Sequence, residues 1–415
     1  MKNSYRLYIL ASLFLFLLAA ATGSWFRGAM VGFPAGSFDL GNIRHAHSHL
    51  MFFGWVSMVP FLSLLSAFRS YPSPLTYGAI YSFEGLFWLG LATYPAFLLF
   101  GYEPVRSGSA NLPFSVMLSG TIMLLWYVMI AIFLYQLWKW NMRQNVSKRI
   151  WTAALLMLFV CSLGAWFVAV AQFLFPAQPM VAKASTNFFL TVFTEGWASL
   201  FAVAIIQDQL AGASTITLIN SNKSWKWLLG LLILGAILLF PVGLPESAIT
   251  YPVLMMIKAG ALILGISYIV FLYSISSTVV LHSNSIYRWP ILFLVLKTVM
   301  IALLFFLPKE LWAGSHQLKI LYLHTTLLGF STLVLFAWVH IKADLPRISY
   351  HFLGFSVLLL WLSLLPYTPL FPMALRGSWV LYFAATASIF PFIAALIIGI
   401  QLLRNHKNIV TAQNL

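Results

Sequence analysis

The stretch Arg44-His45-Ala46-His47-Ser48-His49-Leu50-Met51-Phe52-Phe53-Gly54-Trp55 joins two kinds of chemistry. Three of the chain's nine histidines fall within five residues, and an apolar run begins immediately after them. Runs of about 20 apolar residues, enough to cross about 30 Å of hydrocarbon, recur along the whole chain. This recurrence decides the fold class. The imidazoles set the functional question, because no other segment gathers so many ligand atoms.

Composition agrees. Of 415 residues, 61% are hydrophobic and only 7% charged, against roughly 25% charged in a soluble domain. A chain this apolar needs lipid as solvent, and there the backbone must satisfy itself within helices or a closed barrel. Barrel strands would read as alternating segments of roughly 10 residues, which the continuous runs do not resemble. The net charge of +15 is spread over short connections, so it does not point to nucleic acid. The single cysteine, Cys161, excludes an intrachain disulfide and a thiolate cluster and reads as a small packing residue.

Apolar runs place twelve spans, at about 6–26, 48–70, 76–101, 113–138, 150–175, 186–211, 224–243, 251–275, 287–307, 318–341, 348–367 and 378–402. The expectation is an all-α polytopic membrane protein, a single transmembrane domain over residues 1–415. Span 1 reads as a retained signal anchor. Basic residues, among them Arg6, Arg69, Lys139, Arg143, Lys148 and Arg149, are roughly twice as frequent at one set of span ends as at the other. Both termini are thus expected inside a bacterial-type inner membrane, with the histidine cluster opening span 2 from outside. His324, about two turns into span 10, then has a similar depth.

Twelve spans with histidines near the outer ends of spans 2 and 10 resemble subunit I of the haem–copper oxidases and nitric oxide reductases. The cbb-type branch reads approximately Arg-x-x-His-Thr-x-x-x-x-Phe-Gly-Phe in span 2. Arg44 to Ser48 followed by Phe53-Gly54-Trp55 fits that spacing, with His47 at the ligand position. Its span 10 pattern, His-Val-His-Ser-Gly-x-Leu-Gly-Trp, is similar to Tyr322-Leu323-His324-Thr325-Thr326-Leu327-Leu328-Gly329-Phe330, with the first His replaced by Tyr322. The family's copper ligands are missing: span 6 carries Glu195, and neither span 7 nor its following loop has a histidine. The resemblance therefore implies one low-spin, noncovalent haem b between His47 and His324, without copper. It also implies propionate contacts from Arg376 and Arg44, and a degenerate binuclear site if the chain is a respiratory oxidoreductase. The partners it implies are a quinol or a cytochrome c-type donor and other respiratory subunits.

Residue geometry leaves alternatives open. His45 and His49, at i and i+4, share a helix face, while His47 lies about 200° round from His45. The pair can contribute half of a second metal site, or stand at the interface bonded to water and loop carbonyls. His282, His316, His340, His351 and His406 read as interfacial. Four ionisable residues fall inside spans: Glu84, Glu195, Lys258 and Lys297. Such residues mark a pathway or a pair. By depth, Glu195 is expected to hold a metal, shuttle a proton or pair with Lys258, and Glu84 and Lys297, nearer the inner face, to form part of a proton entry path or a similar pair. Two functions compete: electron transfer through a b-type haem, and a haem or metal sensor or handling protein without turnover. A transporter would show internal repeats and broken helices, and no clear repeat stands out in the sequence.

Overall fold

A computed structural model describes residues 2–68, 74–108, 110–139, 145–175, 177–210, 222–281 and 286–413. Arg69, Arg143 and His282 lie outside them. The described residues are helical apart from connections and one short antiparallel hairpin, Val105–Ser107 with Ala110–Leu112. Among the described residues, twelve helices are long and apolar enough to cross a membrane. Spans 1 to 6 are Tyr5–Ala29, Leu40–Phe68, Leu75–Phe100, Phe114–Lys139, Val146–Gln172 and Pro179–Gln209. Spans 7 to 12 are Ser224–Gly243, Tyr251–Ile275, Arg288–Phe306, His316–Ala343, Arg347–Tyr367 and Trp379–Arg404.

All twelve expected spans are present, but spans 2 and 6 begin earlier than their apolar runs. Span 2 starts at Leu40 because Asp39 caps it, accepting from the Asn42 backbone N–H at 3.1 Å. The polar residues of Arg44 to His49 continue this helix rather than forming its mouth. Span 6 starts at Pro179, a residue suited to a first helical turn because it has no N–H to satisfy.

The chain divides into two compact units. Unit 1 comprises Met1–Phe133, Leu335–Ser363 and Arg376–Leu415. Within it, span 1 packs along spans 2 and 12. Ser24 Oγ donates to the Ser388 carbonyl at 2.7 Å, and Tyr8 OH donates to Glu84 Oε1 at 2.7 Å. Phe16, Trp55 and Phe336 form an aromatic core, with Trp55 centred 5.0 Å from Phe16 and 4.5 Å from Phe336. Unit 2 comprises Leu134–Val334 and Leu364–Leu375, in which span 6 packs on span 5 and span 9 packs on spans 8 and 10. Cys161 is buried there, as a packing residue should be.

Spans 2, 6 and 10 differ from the others in two ways. In the most apolar stretch of each, 83%, 83% and 72% of residues are buried, against at most 50% in the other nine. Each also contains a π-helical segment: Leu50–Trp55, Val192–Ala198 and His324–Thr332. The same residues recur there: Gly54-Trp55-Val56-Ser57, Gly196-Trp197-Ala198-Ser199 and Gly329-Phe330-Ser331-Thr332. A π turn carries one extra residue, and the hydroxyls follow it. Ser57 Oγ donates to the Phe52 carbonyl and Ser199 Oγ to the Thr194 carbonyl, each five residues back, at 2.5 and 2.8 Å. The glycines admit a neighbouring helix, as small residues do between membrane helices. A Cβ on Gly54 would meet Leu15 Cβ at 2.9 Å, and one on Gly196 would meet Met157 Cε at 2.7 Å.

Gly54→Ala is therefore expected to destabilise unit 1 by about 1–3 kcal/mol through overpacking. Adding Leu15→Ala should not rescue it, because alanine keeps the Cβ that stands 2.9 Å away and leaves a cavity. Thermal unfolding in detergent checks both; an unchanged Gly54→Ala protein would disprove the close approach.

Candidate functional site

Unit 2 buries a charged cluster in the middle of its spans. The π segment of span 6 turns Glu195 inward, and it is 1% exposed. Span 9 brings Lys297, wholly buried, so that its Nζ lies 2.7 Å from Glu195 Oε2. Span 8 supplies Tyr268, whose hydroxyl donates to Glu195 Oε2 at 2.8 Å and accepts from Lys297 Nζ at 2.8 Å. Span 10 supplies Tyr322, whose hydroxyl donates to Glu195 Oε1 at 2.6 Å. Lys297 also donates to Ser199 Oγ at 2.5 Å. The ammonium thus finds three acceptors, and the carboxylate receives one ion pair and two phenol hydrogen bonds.

This completeness has a physical reason. Moving an isolated charge out of water costs several kcal/mol even after relaxation, and only a well-bonded partner offsets it. The cluster is electroneutral, and its hydroxyls fill the positions where water would stand. Ser199 donates its own hydrogen bond to the Thr194 carbonyl, so the π turn that tilts Glu195 inward also anchors the acceptor for Lys297.

A cavity of about 230 Å³ leads towards the cluster from the end of unit 2 where spans 6 and 10 begin. Lys183, Asn187 and Lys319 line its mouth, and Thr194 and Tyr322 line its depth. Tyr322 belongs to both cavity and cluster. At the other end of span 6, Asp208 accepts from Ser147 Oγ and from Trp151 Nε1, the latter at 3.1 Å. Burial first, and the Asp208 charge second, push the Tyr287 phenol up from its ordinary value.

The haem and metal expectations do not hold. Among the described residues no group of three or more His, Cys, Asp or Glu side chains comes together to hold a metal ion. The haem b expected at His47 and His324, the second metal at His45 and His49 and the metal at Glu195 fall with that finding, and so does the reading as a haem-binding, cytochrome oxidase-type or metal-sensing protein. The residues have other partners. His47 Nδ1 is 2.7 Å from the Ala19 carbonyl, its ring packed so tightly on Gly23 that a Cβ there would lie 2.9 Å from Cε1. His324 Nδ1 is 2.8 Å from the Ile320 carbonyl of its own helix. His45 and His49 do share a face, but it meets aromatic rings. His49 stacks on Phe97 with centroids 3.7 Å apart and contacts Tyr102 OH at 3.0 Å, and His45 stands edge-on to Tyr102. Glu195 is enclosed by Lys297 and the two tyrosines. Arg44 is exposed in span 2 and Arg376 half-buried before span 12, and the propionate role expected of both falls with the haem.

The pairings of the in-span charges also differ from expectation. Glu195 pairs with Lys297, not Lys258, and Glu84 receives Tyr8. Lys258 lies over the Phe305 ring at 6.0 Å. The cause is the early start of span 6: counted from Pro179 rather than residue 186, Glu195 sits about two turns deeper. Tyr268 and Ser199 were missed, because one tyrosine or serine inside an apolar run carries no signal by itself. Tyr322 was noticed only as a lost histidine. The recurring Gly-aromatic-x-Ser/Thr pattern is the signal that marks span 6 as special.

A scan against protein-family models and a search of curated proteins found no match to this chain.

Breaking the pair should be far worse than deleting it. Lys297→Met leaves a buried carboxylate without its counter-charge and is expected to cost about 3–5 kcal/mol. Combining it with Glu195→Gln should recover most of that stability. Unfolding of the purified variants checks this, and equal stability of the single variant and wild type would refute the pair.

Proposed function

We propose that this chain is a proton-handling membrane protein whose working group is Glu195. The observation that carries the reading is a wholly buried Glu195–Lys297 ion pair with Tyr322 bonded to it on one side and lining a cavity on the other. Ionisable side chains within spans are costly and mark proton routes or ion pathways by default. The chemistry follows from the bonds. Tyr322 OH gives its proton to Glu195 Oε1 and regains one from the cavity. Lys297 keeps its charge beside Glu195 whether or not the carboxylate carries the proton, and Tyr268, which bonds both, holds the two side chains together. Such a relay couples proton occupancy to the packing of spans 6, 8, 9 and 10.

We extend the reading to scaffold and location. The π segments in every fourth span support a resemblance of the scaffold alone to subunit I of the haem–copper oxidases. Partnership with respiratory subunits, a quinol or a cytochrome c-type donor rests on that resemblance only, and the proton-handling reading does not require it. The bias of basic residues supports a bacterial-type inner membrane with both termini inside, which turns the cavity mouth outward.

Infrared difference spectroscopy of the protein in lipid, between alkaline and acidic buffers, tests the reading. A carboxyl carbonyl band is expected to appear on acidification, vanish in Glu195→Gln and shift in Tyr322→Phe, which removes a donor without removing the ring. Absence of any such band while the protein stays folded would contradict proton exchange at Glu195.

A further inference from the structure

The cavity in unit 2 carries more polar chemistry than a proton route requires. Asn187 is 2% exposed and Thr194 is 1% exposed, and both line the cavity. Among the described residues, Asn187 Nδ2 and Thr194 Oγ1 have no hydrogen-bond partner. Leaving a buried donor unmade is costly, so unmet donors lining one cavity point to a ligand. The amide is held in place. Its Oδ1 accepts from Lys319 Nζ, which directs the NH₂ group away from that lysine. Gly243 backs the same amide so closely that any Cβ there would overlap Asn187 Oδ1.

Charge narrows the ligand. Among the described residues, neither Lys183 nor Lys319 pairs with a carboxylate. Cations beside unmet N–H and O–H donors call for an acceptor with negative charge. Leu303, Leu307 and Met300 line one side of the cavity, and this apolar wall opposes a second charge on the ligand. The volume of about 230 Å³ lies below the range of about 300–1,000 Å³ found for drug-sized ligands. It suits a molecule of one ring or a short chain.

We propose that this cavity is a binding site for a small monocarboxylate with a compact apolar body, its carboxylate paired with Lys319 and bonded by Asn187 Nδ2 at the mouth, its body extending towards Thr194. The inference rests on the unmet donors and unpaired cations, not on proton exchange at Glu195. Loss of binding with the infrared band intact would count against this inference alone.

The test is calorimetric titration of the full chain in zwitterionic nanodiscs with benzoate and with butyrate, and with benzamide as the neutral analogue of benzoate. Saturable binding of benzoate or butyrate at one site per chain is expected, with benzamide about tenfold weaker or worse, since bonds to a charged group are roughly twice as strong as neutral ones. Asn187→Leu, close in size but without the amide, should weaken binding about tenfold through one lost bond. Leu303→Trp should abolish it by filling the cavity while leaving every donor in place. The proposal is overturned if neither carboxylate binds, if benzamide matches benzoate, or if Asn187→Leu and Leu303→Trp leave the affinity unchanged. It is also overturned if anionic lipid in the nanodiscs eliminates the binding, because the occupant is then a lipid headgroup.

Discussion

A carboxylate and an ammonium 2.7 Å apart, both out of reach of water, constrain what unit 2 can look like. Neither charge can be buried alone, and neither can be reached by solvent to relax the demand. The remaining valences must come from protein, so four helices have to converge at one depth with matching groups. Span 6 brings the acid, span 9 the base, span 8 the hydroxyl that touches both, and span 10 the hydroxyl that opens to the cavity. The register of each helix is fixed by what it must deliver. A slip of one residue would turn an in-span charge towards a leucine.

The π segments solve a related problem. A regular helix at span 6 would leave its backbone ladder complete and its next hydroxyl bonded one residue nearer. The extra residue at Val192–Ala198 loosens the ladder, and Ser199 repairs it by reaching back to Thr194. Repaired in this way, the irregular turn can sit inside a membrane protein, where unbonded backbone is not tolerated against lipid. Unit 1 uses the same device in span 2, where Ser57 reaches Phe52 and Gly54 receives Leu15. There the turn holds aromatic rings instead of charges, so the device itself is independent of the chemistry it supports.

How much was legible in the sequence follows from what hydropathy measures. Twelve spans could be read because each needs about 20 apolar residues whatever its neighbours are. The true start of span 2 could not, because Asn42, Arg44 and His45 are polar and the cap that begins the helix is a single aspartate. The same blindness hid the first turns of span 6, misplaced Glu195 by about two turns and assigned it the wrong lysine. The histidines drew attention because imidazole is a common ligand. A ligand set is a matter of convergence, which sequence spacing within one helix does not supply. His45 and His49 share a face as their spacing requires, and that face meets Phe97 and Tyr102. The residues that do converge, a glutamate, a lysine and two tyrosines, come from four different spans and share no local pattern.

The account depends on Glu195 and Lys297 being charged and in contact. Solid-state nuclear magnetic resonance of the protein in lipid, with ¹³C-labelled glutamate and ¹⁵N-labelled lysine, measures both properties at once. The prediction is a carboxylate carbon dipolar-coupled to an ammonium nitrogen, the coupled signal disappearing in Lys297→Met. A neutral amine at Lys297, or a Glu195 carboxyl with no coupled nitrogen, would contradict the account at its foundation.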